Sequence, residues 1–84
     1  MEFQQGPDRI FLTDGEGRLT AEITFHPDPG GAMVLDHTFV DGSLRGQGVA
    51  GKLVEAAVAR LKAEGHPIAA TCSYAVKWLA EHPQ

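Results

Sequence analysis

Apolar and polar residues alternate through Leu19-Thr20-Ala21-Glu22-Ile23-Thr24-Phe25, with the apolar side chains at 19, 21, 23 and 25. A period of two sends successive side chains to opposite faces, so 18–25 reads as a half-buried strand. A short apolar run at 9–13 precedes it across Asp14-Gly15-Glu16-Gly17, where the Asp-Gly pair favours the positive backbone angles of a tight hairpin turn. His26-Pro27-Asp28-Pro29-Gly30-Gly31 then interrupts ladder pairing, and a third strand is expected over about 32–40.

The period then lengthens. Apolar residues recur at 49/50, 53/54, 57/58 and 61, with Lys52, Glu55, Lys62 and Glu64 off the stripe, which predicts an amphipathic helix over 49–64. Gly65 is placed to stop it and His66-Pro67 to prevent its continuation. Ile68-Ala69-Ala70-Thr71-Cys72, nearly all apolar, reads as a strand buried on both faces. Ser73 can cap a last helix over 74–81 that ends at His82-Pro83. The predicted order is β-β-β-α-β-α. This is an α+β fold with a mixed sheet: an antiparallel meander, a helical crossover to one more strand, and a C-terminal helix.

Composition narrows the possibilities. Eighty-four residues, 43% of them hydrophobic, suit one domain spanning 1–84. Cys72 is the only cysteine, so packing rather than an intramolecular disulfide holds the fold. A net charge of −4 argues against a nucleic-acid partner, which calls for clustered Lys and Arg. No apolar run approaches the roughly 20 residues of a membrane span. The N-terminal Met-Glu-Phe-Gln-Gln-Gly-Pro has no signal-peptide pattern, so a cytoplasmic protein without a membrane partner is expected. His26, His37, His66 and His82 show no paired ligand spacing, and no metal is expected.

The ten glycines are the unusual feature, and several of them fall in Arg45-Gly46-Gln47-Gly48-Val49-Ala50-Gly51-Lys52. The run fits the dinucleotide fingerprint G-x-G-x-x-G, but it follows a meander, and no acidic residue ends the next strand. It also supplies G-x-x-x-x-G-K, but Leu53 stands where a P-loop needs Ser or Thr for magnesium. A third possibility is a pyrophosphate cradle. Glycines let several backbone N–H groups converge at the start of a helix, whose dipole favours an anion without requiring a basic protein. Gly46 and Gly48 allow close approach of phosphates, and Arg45 adds one charged contact. The plain structural alternative is a tight strand-to-helix turn.

Arg45-Gly46-Gln47-Gly48-Val49-Ala50 resembles the R/Q-x-x-G-x-G/A motif of the GNAT superfamily of N-acetyltransferases. The likeness extends to the small single-domain YjdJ-type branch through His37-Thr38-Phe39-Val40, Leu44 to Gly48, Cys72-Ser73-Tyr74 and His82-Pro83. This resemblance implies a minimal GNAT-like fold that binds acetyl-CoA as co-substrate between two splayed strands, 32–40 and 68–72. The diphosphate would rest on the N–H groups of Arg45 to Gly51. The pantetheine would run along the edge at Phe39 and Val40, and the thioester would reach toward Cys72 and Ser73. Two helices that usually follow the first strand in the superfamily have no counterpart here, and Val76-Lys77-Trp78-Leu79 lacks the tyrosine usual within the last helix.

The resemblance gives three residues candidate roles in acetylating an amine whose identity the sequence does not fix. His37 is a candidate base, with a structural histidine on the sheet as the alternative. Cys72, beside a helix start that favours thiolate, is a candidate nucleophile, a thioester contact or an inert buried thiol. Tyr74 is a candidate proton donor or pantetheine contact. Lys52 can reach a phosphate or remain solvated, whereas Trp78 and Leu79 read as core. A monomer or a homodimer is expected, with the acceptor pocket built by the shortened N-terminal region or a second subunit. The rival function is a non-catalytic acyl-CoA-binding or protein-interaction module on the same fold.

Overall fold

The computed structural model describes residues 2–83. Its elements are β1 (Gln4–Gln5), β2 (Arg9–Thr13), β3 (Leu19–Pro27), β4 (Met33–Val40), α1 (Val49–Ala63), β5 (Ile68–Ala70) and α2 (Ser73–Glu81). The strands form one sheet in the order β1-β2-β3-β4-β5, antiparallel except for the parallel β4–β5 pair. The α+β meander with its crossover helix is therefore present. One short strand, β1, had no signal in the pattern; Arg60 fastens the segment after it through Nη1 to the Gly6 carbonyl at 2.7 Å.

Alternation on β3 sends Ala21, Ile23 and Phe25 to one face, where they meet the α1 stripe of Val49, Leu53, Val54, Ala57, Val58 and Leu61. Each fully buried aliphatic contributes about 1.5–3 kcal/mol. That burial matters more than helix propensity, because an isolated helix of roughly 12–15 residues is marginal in water. Ala75 of α2 joins the same core, so both helices cover one face of the sheet. Alternation carries Glu22, Thr24, His37 and Phe39 to the far face.

The helix stop at Gly65 is realised as a paired closure: Gly65 N–H donates to the Lys62 carbonyl and His66 N–H to the Leu61 carbonyl, each at 3.0 Å. Four local expectations change. The hairpin's positive φ, +82°, falls at Gly17 rather than in the Asp14-Gly15 pair, because the Asp14 carboxylate accepts from the Glu16 and Arg18 N–H groups and sets a longer loop. β3 runs on through His26 and Pro27, which pair with Val34 and Met33, so the break begins later. β5 is an edge strand with half-buried side chains, not one buried on both faces, since only β4 pairs with it. Ser73 is the first residue of α2, and Cys72 takes the capping position.

β4 also departs from simple alternation. Its register against β3 slips between Thr24 and Phe25, which face His37 and Leu35, so Asp36 is an extra residue in a β-bulge. The slip shifts the core-facing side chains from Met33 and Leu35 to Thr38 and Val40. The β4–β5 ladder ends at Leu35 and Ala70, and the Leu35 carbonyl accepts from both Thr71 and Cys72 N–H, at 3.0 and 3.2 Å. Beyond Leu35 that edge of β4 pairs with no strand among the described residues.

Candidate functional site

After β4, Asp41 caps a short 3-10 turn, Gly42–Leu44, by accepting from the Ser43 N–H, and residues 45–48 turn into α1. Gly46 and Gly48 have φ of +83° and +73°, left-handed values that glycine adopts without steric cost. Gly48 is the capping residue of α1 and brings no side chain to satisfy the first amides. The Gly48 carbonyl accepts from Lys52 N–H at 3.1 Å, which leaves the amides of Val49, Ala50 and Gly51 without intrahelical acceptors. The first turn of α1 contains no acidic residue, so no carboxylate competes for them.

Beside this turn lies a cavity of about 370 Å³. Arg45, Gly46, Gly48, Val49 and Ala50 form one wall, while Thr38 and Val40 of β4 form another, with Leu44 and Tyr74 completing it. Leu44 and Thr38 were not picked out by sequence as lining residues; the offset between Met33/Leu35 and Thr38/Val40 is the signal that could have placed Thr38 there. Gln47 is exposed outside the lining, with Nε2 donating to the Ser43 carbonyl at 3.4 Å.

Gly51 lies inside α1, and besides its free amide it leaves room for packing against α2. A Cβ at this position would come within 3.3 Å of the Tyr74 hydroxyl and 3.9 Å of Trp78 Nε1. The missing side chain lets α2 approach α1 and leaves room for the Tyr74 hydroxyl against the helix. Nothing lies within 4 Å of a Cβ at Gly46 or Gly48, so backbone angle, not crowding, demands glycine there.

Cys72 is half-buried just beyond the cavity lining, and its thiol donates to the Thr38 hydroxyl at 3.3 Å. Burial pushes the Cys72 thiol up, but the Thr38 hydroxyl, which can rotate to donate to the thiolate, and the amides of Ala75 and Tyr74 outweigh it, so the net shift is downward. Cys72 makes no side-chain cap hydrogen bond, and the Ala75 and Tyr74 amides at the start of α2 favour its thiolate. Ser73 is exposed and does not line the cavity. His37 and Phe39 stand on the far face of the sheet, opposite Thr24 and Glu22, and both are exposed. The predicted residues thus divide into a cavity group, a thiol reached through Thr38, and a far-face pair. No three His, Cys, Asp or Glu side chains among the described residues are arranged to hold a metal, and no helix is long and apolar enough to cross a membrane.

Comparison with known proteins identifies the family and the fold. Residues 9–84 match the family described as GCN5-related N-acetyl-transferase. The solution structure of a GCN5-like protein from Staphylococcus aureus is 35% identical and superposes with a TM-score of 0.77, covering 95% of this chain and 78% of that one. The ribosomal-protein-alanine N-acetyltransferase of Brucella melitensis shares the fold at 20% identity and a TM-score of 0.61, over 76% of this chain and 48% of its own. A Trypanosoma brucei acetyltransferase does so at 16% identity and 0.59, over 90% and 60%. No curated protein sequence gives a significant match.

Proposed function

Because the chain belongs to the GCN5-related N-acetyltransferase family, we propose that it binds acetyl-CoA at the cavity between β4 and α1 and transfers the acetyl group to an amine. The carrying observation is a conjunction: two left-handed glycines at a helix start without a side-chain cap border a cavity whose other wall is the part of β4 beyond its pairing with β5. The residues fit such a ligand. Amides from the start of α1 would take the diphosphate, Arg45 would add one cation, and the unpaired edge of β4 beyond Leu35 would take the pantetheine amides.

When bound, acetyl-CoA supplies a thioester carbonyl from which CoA leaves as a thiolate. The chain then has three tasks: to remove a proton from the attacking amine, to hold the carbonyl, and to return a proton to the leaving sulfur. The Tyr74 hydroxyl, at the cavity wall, is the proton donor within this reading. Cys72, whose thiol pKa is lowered, would contact the acyl group or accept it as a thioester, releasing CoA before the amine attacks. His37 is exposed on the far face, so as a base it would serve only an amine arriving from that side.

A thermal melt with acetyl-CoA tests binding. Ligand at 100 times its dissociation constant adds about 2.7 kcal/mol, and domains of this size shift roughly 4–8 °C per kcal/mol, so a rise of at least about 10 °C is expected. An unchanged midpoint refutes the proposal. Intact mass after incubation tests the nucleophile: an acetyl adduct that vanishes in Cys72→Ala supports it, whereas an adduct that persists excludes it.

A further inference from the structure

A bulge bends its strand and increases the local twist. Here it falls at the residue after Leu35, the last residue of β4 that pairs with β5, so the extra residue, Asp36, marks the point at which that pairing ends. Both carboxylate oxygens of Asp36 are engaged by side chains of β3. The Thr24 hydroxyl donates to Oδ1, and His26 Nδ1 lies 2.5 Å from Oδ2. A two-point attachment of this kind resists the competing regular register. Without the bulge, the residues beyond it would exchange faces, sending Thr38 and Val40 to the far side and bringing His37 and Phe39 toward the helices.

We propose that Thr24, His26 and Asp36 form a side-chain clip that fixes the β4 bulge and thereby sets the splay of β4 from β5 and the face presented by Thr38 and Val40. The three are positioning residues for the cavity, and their importance for ligand binding rests on the acetyl-CoA reading above. The clip lies on the far face, with the Asp36 side chain 32% exposed and that of His26 53% exposed. Ile23, Phe25 and Leu35, which hold β3 and β4 to α1, face the other way and are essentially inaccessible to solvent. Loss of the clip should therefore alter the path of β4 more than the stability of the core.

The test compares Asp36→Ala with Asp36→Asn. Asparagine keeps an oxygen for Thr24 and offers an N–H to neutral His26 Nδ1, whereas alanine keeps neither. Without ligand, the backbone amide NMR signals of Thr38, Val40, Thr71 and Cys72 should move in Asp36→Ala and stay near their original positions in Asp36→Asn. Acetyl-CoA dissociation constants, measured by calorimetry, should rise at least tenfold for alanine and less than threefold for asparagine. Unmoved amides in Asp36→Ala, or an asparagine variant as impaired as alanine, would overturn the clip. Should Asp36→Ala fail to fold, Thr24→Val removes one of the two attachments and is read in the same way. If the original protein does not bind acetyl-CoA, the functional reading fails while the amide signals still decide the clip.

Discussion

Alanine in place of glycine should have opposite effects at two positions one helical turn apart. Gly48 has φ +73° and open space around a would-be Cβ, so Gly48→Ala introduces only the left-handed backbone penalty, about 1–2 kcal/mol. At roughly 4–8 °C per kcal/mol, the melting midpoint should fall by about 4–16 °C. Gly51 sits in α1 without a positive φ, where alanine gains about 0.5–1 kcal/mol in helix propensity. Against that gain stands the 3.3 Å approach of the new Cβ to the Tyr74 hydroxyl, which a ring 42% exposed can relieve by moving a few tenths of an ångström. Gly51→Ala should therefore leave the midpoint unchanged or raise it by a few degrees, while weakening acetyl-CoA binding by displacing the cavity wall. Differential scanning calorimetry with and without acetyl-CoA reads both effects. A Gly51→Ala midpoint as low as that of Gly48→Ala would show that Tyr74 cannot yield and refute the reasoning.

Two further outcomes follow from the titratable groups. Thr38→Val removes the hydroxyl that holds the Cys72 thiol down, so the pH midpoint of Cys72 alkylation by iodoacetamide should move upward; an unmoved midpoint would assign the lowering to the helix start alone. Asp36 is raised by burial but lowered further by Thr24 and His26, and its net shift is downward. A carboxyl lowered by folding adds stability above its unfolded value, near 3.9, and loses it as pH falls through the folded value. Hydrogen bonds to backbone amides lower Asp14, and those from Ser43 lower Asp41, in the same direction. Melting midpoints should therefore drop as the pH falls from about 5 through the lowered values below about 3.9, less steeply in Asp36→Asn; a flat profile, or equal slopes, would contradict this.

Much of the fold was legible because local periodicity is a direct record of which face is buried. The β3 alternation and the α1 stripe from Val49 to Leu61 each found their partner across one core. The glycine run was legible as a strand-to-helix junction, since two of its glycines carry positive φ and a third lies one turn into the helix. The hydrogen-bond pattern of the Asp14 loop was not, because one carboxylate reaching two amides moved the positive φ to Gly17. Nor was the cap of α2, where Cys72 holds the position that a serine more often takes.

By itself, then, the sequence determined the order of elements from β2 onward, the helix-facing stripe, and the backbone freedom at Gly46 and Gly48, all properties of neighbours along the chain. Only the tertiary structure decided which candidate residues share a space. Thr38, Tyr74 and the α1 start meet at one cavity, while His37 and Phe39 face away from it. The physical reason is the single extra residue at Asp36. A strand's side chains alternate strictly, so one inserted position changes the face of everything beyond it, and the partners that hold the insertion, Thr24 and His26, lie on another strand.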